Sequence, residues 1–414
     1  MQSWNGEKAQ PSPLGDHDVP ELSQLLKGKR LALLITGGIA AIKAPLFART
    51  LRKHGADVVA FLSSEATRYV TAEAMSWCCN QEAVTHLTPK AEHLFDGAPF
   101  DAYLVAPATY NTINKVAQGI ADGAVTATLA TALGRMEQGK AQVLFAPTMH
   151  GDMNNAILRR SIKTLSDMGV FFIPPRDDYG KHNLPEEENM VMALARAMSK
   201  SPLKEKNIVV TGGPTPVFLD DVRRITNKFT GRLGADIAQA LYARGANVHL
   251  IHGQSTFTPP SGLPHEVVAS YNAYRQAVQS RLKSQDIHAA IFSAAVADYE
   301  PIEATSGKVE SGQAQWDVSL KPTAKVIDEV AQAFPDLTRV TFKYQENVSH
   351  EQLMDIAQKR VAAGTPLVVA NRGEDKGPQG EQVAYLVSAQ GEIRLVGKKA
   401  IAEGIVHWLE TNLS

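Results

Sequence analysis

The sequence predicts an α/β protein built as two Rossmann-like three-layer domains, and three observations predict it. Apolar runs of strand length alternate along the chain with longer stretches of helical periodicity, the pattern of parallel sheets covered by helices on both faces. Two of these runs open alike: Lys29 to Thr36-Gly37-Gly38 is echoed by Lys206 to Thr211-Gly212-Gly213. That repeat is spaced one domain apart and lacks the short period of a solenoid. The 414 residues suffice for two domains, each with a core of normal size.

Taken in order, residues 1–27 are polar, carry Pro11, Pro13 and Pro20, and read as a flexible arm with a short helix. The first domain, 28–198, opens with a strand at 31–35, the turn Thr36-Gly37-Gly38 and a helix over 39–54, with Gly55 placed to cap it. A strand at 57–62 follows, and the apolar runs 103–106 and 143–146 each end in a turn that contains proline. Polar residues 199–206 read as the linker to a second domain, 207–414. Its strands are expected at 208–210, 248–251, 290–294, 340–342 and 367–370, before a hairpin of 384–388 with 393–396 and a helix over 399–413. Residues 253–264 and 303–315 read as surface loops, the second long enough for an active-site flap.

Composition excludes several functions. The formal net charge is -1, and Lys and Arg are dispersed, so nothing grips nucleic acid or a membrane surface. The only cysteines, Cys78 and Cys79, are adjacent and a poor pair for a structural disulfide, which fits a reducing, cytoplasmic setting. The N-terminal residues lack the apolar core of a signal peptide, and the longest apolar stretch, 31–42, is broken by glycines and too short to span a bilayer. The expected partners are small molecules.

Ligands of such sheets lie beyond the carboxyl ends of the strands. There, glycines let backbone N–H groups approach an anion, and a helix N-terminus adds a favourable dipole. The richest such segment is 207–234: Ile208-Val209-Val210, then Thr211-Gly212-Gly213-Pro214-Thr215, a polar loop from Asp220 to Asn227, and Gly231 and Gly234 at a helix entry. It closely resembles the ligase domain of the bifunctional coenzyme A biosynthesis flavoproteins, which join phosphopantothenate–cysteine ligase to phosphopantothenoylcysteine decarboxylase. The resemblance covers nearly all of 206–413. It implies activation of 4'-phosphopantothenate by CTP with Mg²⁺ as an acyl-cytidylate, from which the cysteine amine displaces CMP. It further implies that Asn227 hydrogen-bonds the reacting carboxyl or acyl-cytidylate, and that Lys308, in the flap, acts on that intermediate or on cysteine. At the nucleotide it places Phe292, Ser293, Ala294, Asp298, Lys308, Ala324, Lys325, Val326, Ile327, Phe342 and Lys359. A second triphosphate-binding lysine, expected four residues after Lys359, is Ala363 here.

In the first domain Thr36-Gly37-Gly38-Ile39 lacks the GxGxxG spacing, which disfavours a nicotinamide dinucleotide. Together with Ser63-Ser64-Glu65, Ala106-Pro107-Ala108-Thr109 and Gly119-Ile120-Ala121-Asp122, it resembles the flavin-dependent cysteine decarboxylases, implying a flavodoxin-like flavoprotein domain. By that resemblance Gly37, Gly38, Ser63, Ala106 and Thr109 lie against FMN, and His93 is the active-site histidine. The implied chemistry oxidises the cysteinyl thiol to a thioaldehyde, which loses CO2 as a β-keto acid does, and the resulting enethiol is then reduced. Two positions depart from the family pattern. The Asn that binds the substrate carboxylate is His150, which still donates hydrogen bonds. The flap cysteine that donates a proton in the final reduction is missing from 174–185, where Tyr179, Lys181 and His182 are the candidate donors. Three readings follow: a bifunctional enzyme, a ligase with an inactive flavin-binding assembly module, or a non-catalytic flavin-binding regulator. Intact Asn227 and Lys308 argue against the last. The resemblance also implies a homo-oligomer, with trimers of the first domain and dimers of the second.

Overall fold

The computed structural model describes residues 5–94, 97–284 and 286–413, which form two compact units divided between Met198 and Ser199. The first unit runs β1 (Arg30–Ile35), α1 (Ala44–Lys53), β2 (Asp57–Leu62), α2 (Ala72–Cys79), β3 (Ala102–Ala108), α3 (Tyr110–Ala117), α4 (Ala124–Glu137), β4 (Gln142–Pro147), β5 (Met149–His150), α5 (Ala156–Asp167), β6 (Phe171–Phe172), β7 (Arg176–Asp178), β8 (Lys181–Asn183) and α6 (Glu187–Met198). Its main sheet has the order β2-β1-β3-β4-β6, all parallel. Leu31 to Ile35 are buried without alternation, as a strand covered on both faces requires. Phe61, Phe100, Tyr103 and Phe145 fill one side of it. The order reverses between β1 and β3, so a crevice opens beyond their carboxyl ends.

Two local differences from the sequence reading have simple causes. The helix expected over 39–54 begins as a 3-10 turn, Ile39–Lys43, and becomes α-helical at Ala44. Pro45 sits in the first α turn, where its missing N–H costs nothing but cannot continue an α ladder from upstream. The short helix expected within 1–27 does not form in its described part. Leu22 and Leu26 donate their amides to the Lys53 and His54 carbonyls, each at 2.8 Å, and Leu26 is fully buried. Those donors serve the end of α1, so the segment is a strap over that helix. Beyond the main sheet, β5, β8 and β7 make a small antiparallel sheet.

The second unit runs β9 (Asn207–Gly212), β10 (Val217–Phe218), β11 (Arg224–Ile225), α7 (Arg232–Ala243), β12 (Asn247–Gly253), β13 (His265–Val268), α8 (Tyr271–Ser284), β14 (Ala289–Phe292), β15 (Tyr299–Pro301), β16 (Leu320–Pro322), α9 (Val326–Ala333), β17 (Thr338–Gln345), α10 (His350–Ala362), β18 (Leu367–Arg372), β19 (Val383–Ser388), β20 (Gly391–Val396) and α11 (Lys398–Asn412). The sheet order is β13-β12-β9-β14-β17-β18-β19-β20. It is parallel as far as β18, and the expected terminal hairpin adds β19 and β20 antiparallel. Ile237, Leu241, Ile405 and Leu409 from α7 and α11 cover one face, and Tyr274 and Val278 of α8 cover the other. The polar stretch 199–206 is seated in this unit: Leu203 joins its core and Ser201 Oγ donates to Glu410 at 2.7 Å. Here the order reverses between β9 and β14, which places the second crevice. Among the described residues no helix is long and apolar enough to cross a membrane.

Candidate active sites

In the first unit the carboxyl ends of β1 to β4 open onto a cavity of about 950 Å³. Gly37 and Gly38 after β1, Ser63 after β2, Thr109 after β3 and His150 after β4 all line it. A Cβ at Gly37 would stand 2.2 Å from Glu65 Cβ, so the turns after β1 and β2 touch only because residue 37 has no side chain. The Thr36 hydroxyl donates to the Pro107 carbonyl at 2.7 Å and accepts from Thr109 N at 3.2 Å. That pair ties the β1 and β3 turns together under the cavity. Ala106 is buried beneath this floor, and Pro107 forms the wall in its place. Thr148 Oγ1, also at the wall, is buried with no hydrogen-bond partner among the described residues.

The small sheet brings polar groups to the same cavity. Pairing of His150 with Lys181 and of Met149 with His182 sets Lys181, His182 and Asn183 into the lining beside His150. His182 Nδ1 lies 2.6 Å from an Asp177 carboxylate oxygen, and its Nε2 lies 3.4 Å from Asn154 Nδ2. Tyr179, at the hairpin tip, is 90% exposed and not part of the wall. His93 is not part of it either. It sits on the turn after Glu92, whose carboxyl is held down to about 2 by the hydroxyl and backbone N–H of Thr88, and its Nδ1 is buried without a partner among the described residues. His86 does line the cavity. Cys78 and Cys79 are buried on α2, away from the wall, and burial raises both thiols, Cys79 to about 12. They stay protonated and unreactive near neutrality.

In the second unit, the loop after β14 is the gathering point. Asn227 Nδ2 donates to the Ala295 carbonyl at 2.9 Å. Ser293 Oγ donates to Thr211 O at 2.5 Å and Thr323 Oγ1 donates to Ala297 O at 2.6 Å. The Lys325 ammonium pairs with Asp298, and Tyr271 OH donates to Ala324 O at 2.6 Å. Phe292 and Val326 are buried below, while Ile327 packs against the same core. Gly231 has φ +82° at the start of α7, and a Cβ there would lie 2.3 Å from Gly213 N. Glycine is therefore required where the helix entry meets the β9 turn. Lys308, on the loop between β15 and β16, has no carboxylate partner among the described residues, and the backbone of Gly307 is held by Asp221.

Two positions stand differently. Phe342 lies on β17 with its ring against the core. Lys359 pairs with Asp355 at 2.6 Å near the end of α10; that helix descends from the carboxyl end of β17 toward the start of β18, which carries Lys359 away from the other groups. The sequence reading missed Lys343, at the β17 end. Burial, and then the Arg360 charge, lower its pKa, while the Asp298 carboxylate opposes them. Its one signal was a lysine directly after the apolar run at 340–342. His86 gave no signal beyond a lone histidine.

A family model described as Flavoprotein matches residues 20–199, and one described as DNA/pantothenate metabolism flavoprotein C-terminal domain matches residues 203–413. The chain is 34% identical over 371 residues to the coenzyme A biosynthesis bifunctional protein CoaBC of Thermococcus kodakarensis, covering 88% of this chain and 90% of that one. The chain belongs to the bifunctional coenzyme A biosynthesis flavoproteins. A further relative of the same description, from Bacillus subtilis, is 32% identical over 365 residues, covering 84% of this chain and 86% of that one. Among solved structures, the DNA/pantothenate metabolism flavoprotein from Streptococcus pneumoniae has a TM-score of 0.45 at 25% identity, covering 50% of this chain and 99% of that one. Like other bifunctional coenzyme A biosynthesis flavoproteins, this chain thus carries a flavoprotein region and a pantothenate-metabolism region, each centred on one of the two units.

Proposed function

We propose that the second unit joins cysteine to 4'-phosphopantothenate using CTP, and that the first unit decarboxylates the product with FMN. The observation that carries the ligase half is the convergence of Asn227, Asp298, Lys325 and Lys343 on the loop after β14. A carboxylate becomes a good electrophile once it attacks the nucleotide α-phosphate and expels pyrophosphate. Lys325 and Lys343 offset the charge that develops on the phosphates. Asn227 holds the acyl group, and Lys308 reaches it from the flap. Mg²⁺ would be held on the nucleotide's own phosphates, as that ion commonly is in nucleotide enzymes. Among the described residues no three His, Cys, Asp or Glu side chains stand together to hold a metal.

The first unit's residues fit a flavin. The turn at Gly37 leaves room only for backbone, and the Thr148 hydroxyl is buried at the cavity wall without a partner among the described residues. Gly37, Gly38, Ser63 and Thr109 would hold FMN, which supplies the two-electron chemistry on the substrate thiol. His150 would bind the substrate carboxylate. Of the three candidate proton donors, Tyr179 points away and His182 is both at the wall and oriented by Asp177. On that placement His182 takes the role of the missing cysteine. His93 is the proton acceptor, and as it is not in its own chain's wall it serves the cavity of a second subunit in a homo-oligomer.

His93→Asn is expected to stop CO2 release from phosphopantothenoylcysteine. His182→Gln is expected to leave CO2 release near the wild-type rate and to slow formation of the saturated thiol by about 10²-fold, so that an enethiol accumulates. Mass spectrometry of quenched reactions distinguishes the two. Wild-type product formation by His182→Gln would move the donor role to Lys181 or water. Unimpaired CO2 release by His93→Asn would leave His86 as the acceptor and the single-chain cavity as the whole site.

A further inference from the structure

Lys308 stands on residues 302–319, between β15 and β16, and no strand or helix holds that flap. A second segment does so. Asp220, in the turn between β10 and β11, has a side chain with 0% exposure, yet it is ionisable and lies 89 residues from its partner in the flap. Its Oδ2 accepts from Val309 N at 3.1 Å and from Arg223 Nη1 at 2.6 Å. Its Oδ1 accepts from Val222 N at 2.9 Å and from Arg223 N at 2.6 Å. Arg223 in turn donates to the Val309 carbonyl at 3.2 Å and lies over the Trp316 ring, 5.0 Å from its centre. Asp221 and Gly307 exchange two further bonds, each at 3.0 Å. The flap is therefore fastened on both sides of Lys308 by one turn. Burial pushes the Asp220 carboxyl up, but the N–H groups of Val222, Val309 and Arg223 outweigh it and leave it at about 2.

The same turn leads through β11 to Asn227, which is fixed on the loop after β14. We infer that Asp220 is a positioning residue: it holds the flap so that Lys308 meets the acyl group that Asn227 orients. Asp220 touches no reacting atom. Asp220 grips the residue after Lys308 and lies on the same short segment as Asn227, so one turn ties both groups to a common support. This inference rests on the ligase reading for its catalytic half and on geometry alone for its structural half.

The test uses the full-length protein with two variants. Asp220→Asn keeps the shape and removes the charge. Asp221→Ala leaves Asp220 and the Lys308–Val309 peptide bond intact and removes the acceptor of the Gly307 N–H, so it loosens the flap by a second route and guards against a variant that merely misfolds. Trypsin is added without substrates, and cleavage after Lys308 is followed by mass spectrometry against other sites in the second unit. In both variants cleavage at Lys308 is expected to speed up by about tenfold or more while the other sites keep their wild-type rates. In steady-state ligation, kcat should fall by about 10²-fold with a much smaller change in KM for CTP, because a misplaced group acts mainly on the transition state. Wild-type protection of Lys308 in Asp220→Asn would overturn the proposal. So would faster cleavage with an unchanged kcat. If the wild-type protein shows no ligation, the ligase reading fails, and the protease comparison still decides whether Asp220 holds the flap.

Discussion

Lys308→Ala lowers amide formation by about 10²- to 10³-fold, while the flavin content of the protein stays at the wild-type level. The size follows from removing one preorganised charge at the reacting centre, the scale seen when a single oxyanion donor is lost. Its selectivity follows from the division into two units with separate cores. Lys308 has no ion pair among the described residues to lose, so folding should be nearly untouched. The checks are pyrophosphate release and visible flavin absorbance on the same preparation. Loss of both, or of neither, contradicts the assignment.

Gly37→Val produces a colourless protein that releases no CO2 but still ligates cysteine. The valine Cβ alone would sit 2.2 Å from Glu65 Cβ, well inside contact distance. The turns after β1 and β2 must then separate, at a cost of about 1–3 kcal/mol for an overpacked site. Part of that displacement closes the cavity that the flavin would occupy. Absorbance, CO2 release and amide formation measured side by side test it. A yellow Gly37→Val protein would show that the β1 turn is not the flavin's bed.

Much of this was legible in the sequence, and the residues show why. β1 and β9 read directly as strands because 31–35 and 208–210 are apolar without alternation, which only a sheet buried on both faces tolerates. The glycine turns after them read as ligand sites because no other residue serves there. What stayed hidden depends on contacts between distant segments. Strands β5, β7 and β8 are two or three residues each, and all but Met149 are polar, so no periodicity could announce the sheet that brings His182 to the cavity. The grip of Asp220 on Val309 joins a ligand loop and a flap that each read from the sequence, but their contact spans 89 residues and leaves no local signal. Leu203 shows the opposite error: a polar run suggested a linker, but one leucine and the Ser201–Glu410 bond seat it in the second unit. His93 was chosen by its neighbours in sequence, and the fold of one chain puts His86 at the wall.

The central claim is that one chain performs two consecutive reactions. Wild-type protein incubated with 4'-phosphopantothenate, cysteine, CTP and Mg²⁺ tests it most directly, with pyrophosphate and CO2 measured in the same vessel. The account predicts that both appear, and that CO2 approaches one equivalent per pyrophosphate as phosphopantothenoylcysteine is consumed. Pyrophosphate without CO2 would contradict it and reduce the first unit to a flavin-binding module, and the absence of both would contradict it altogether.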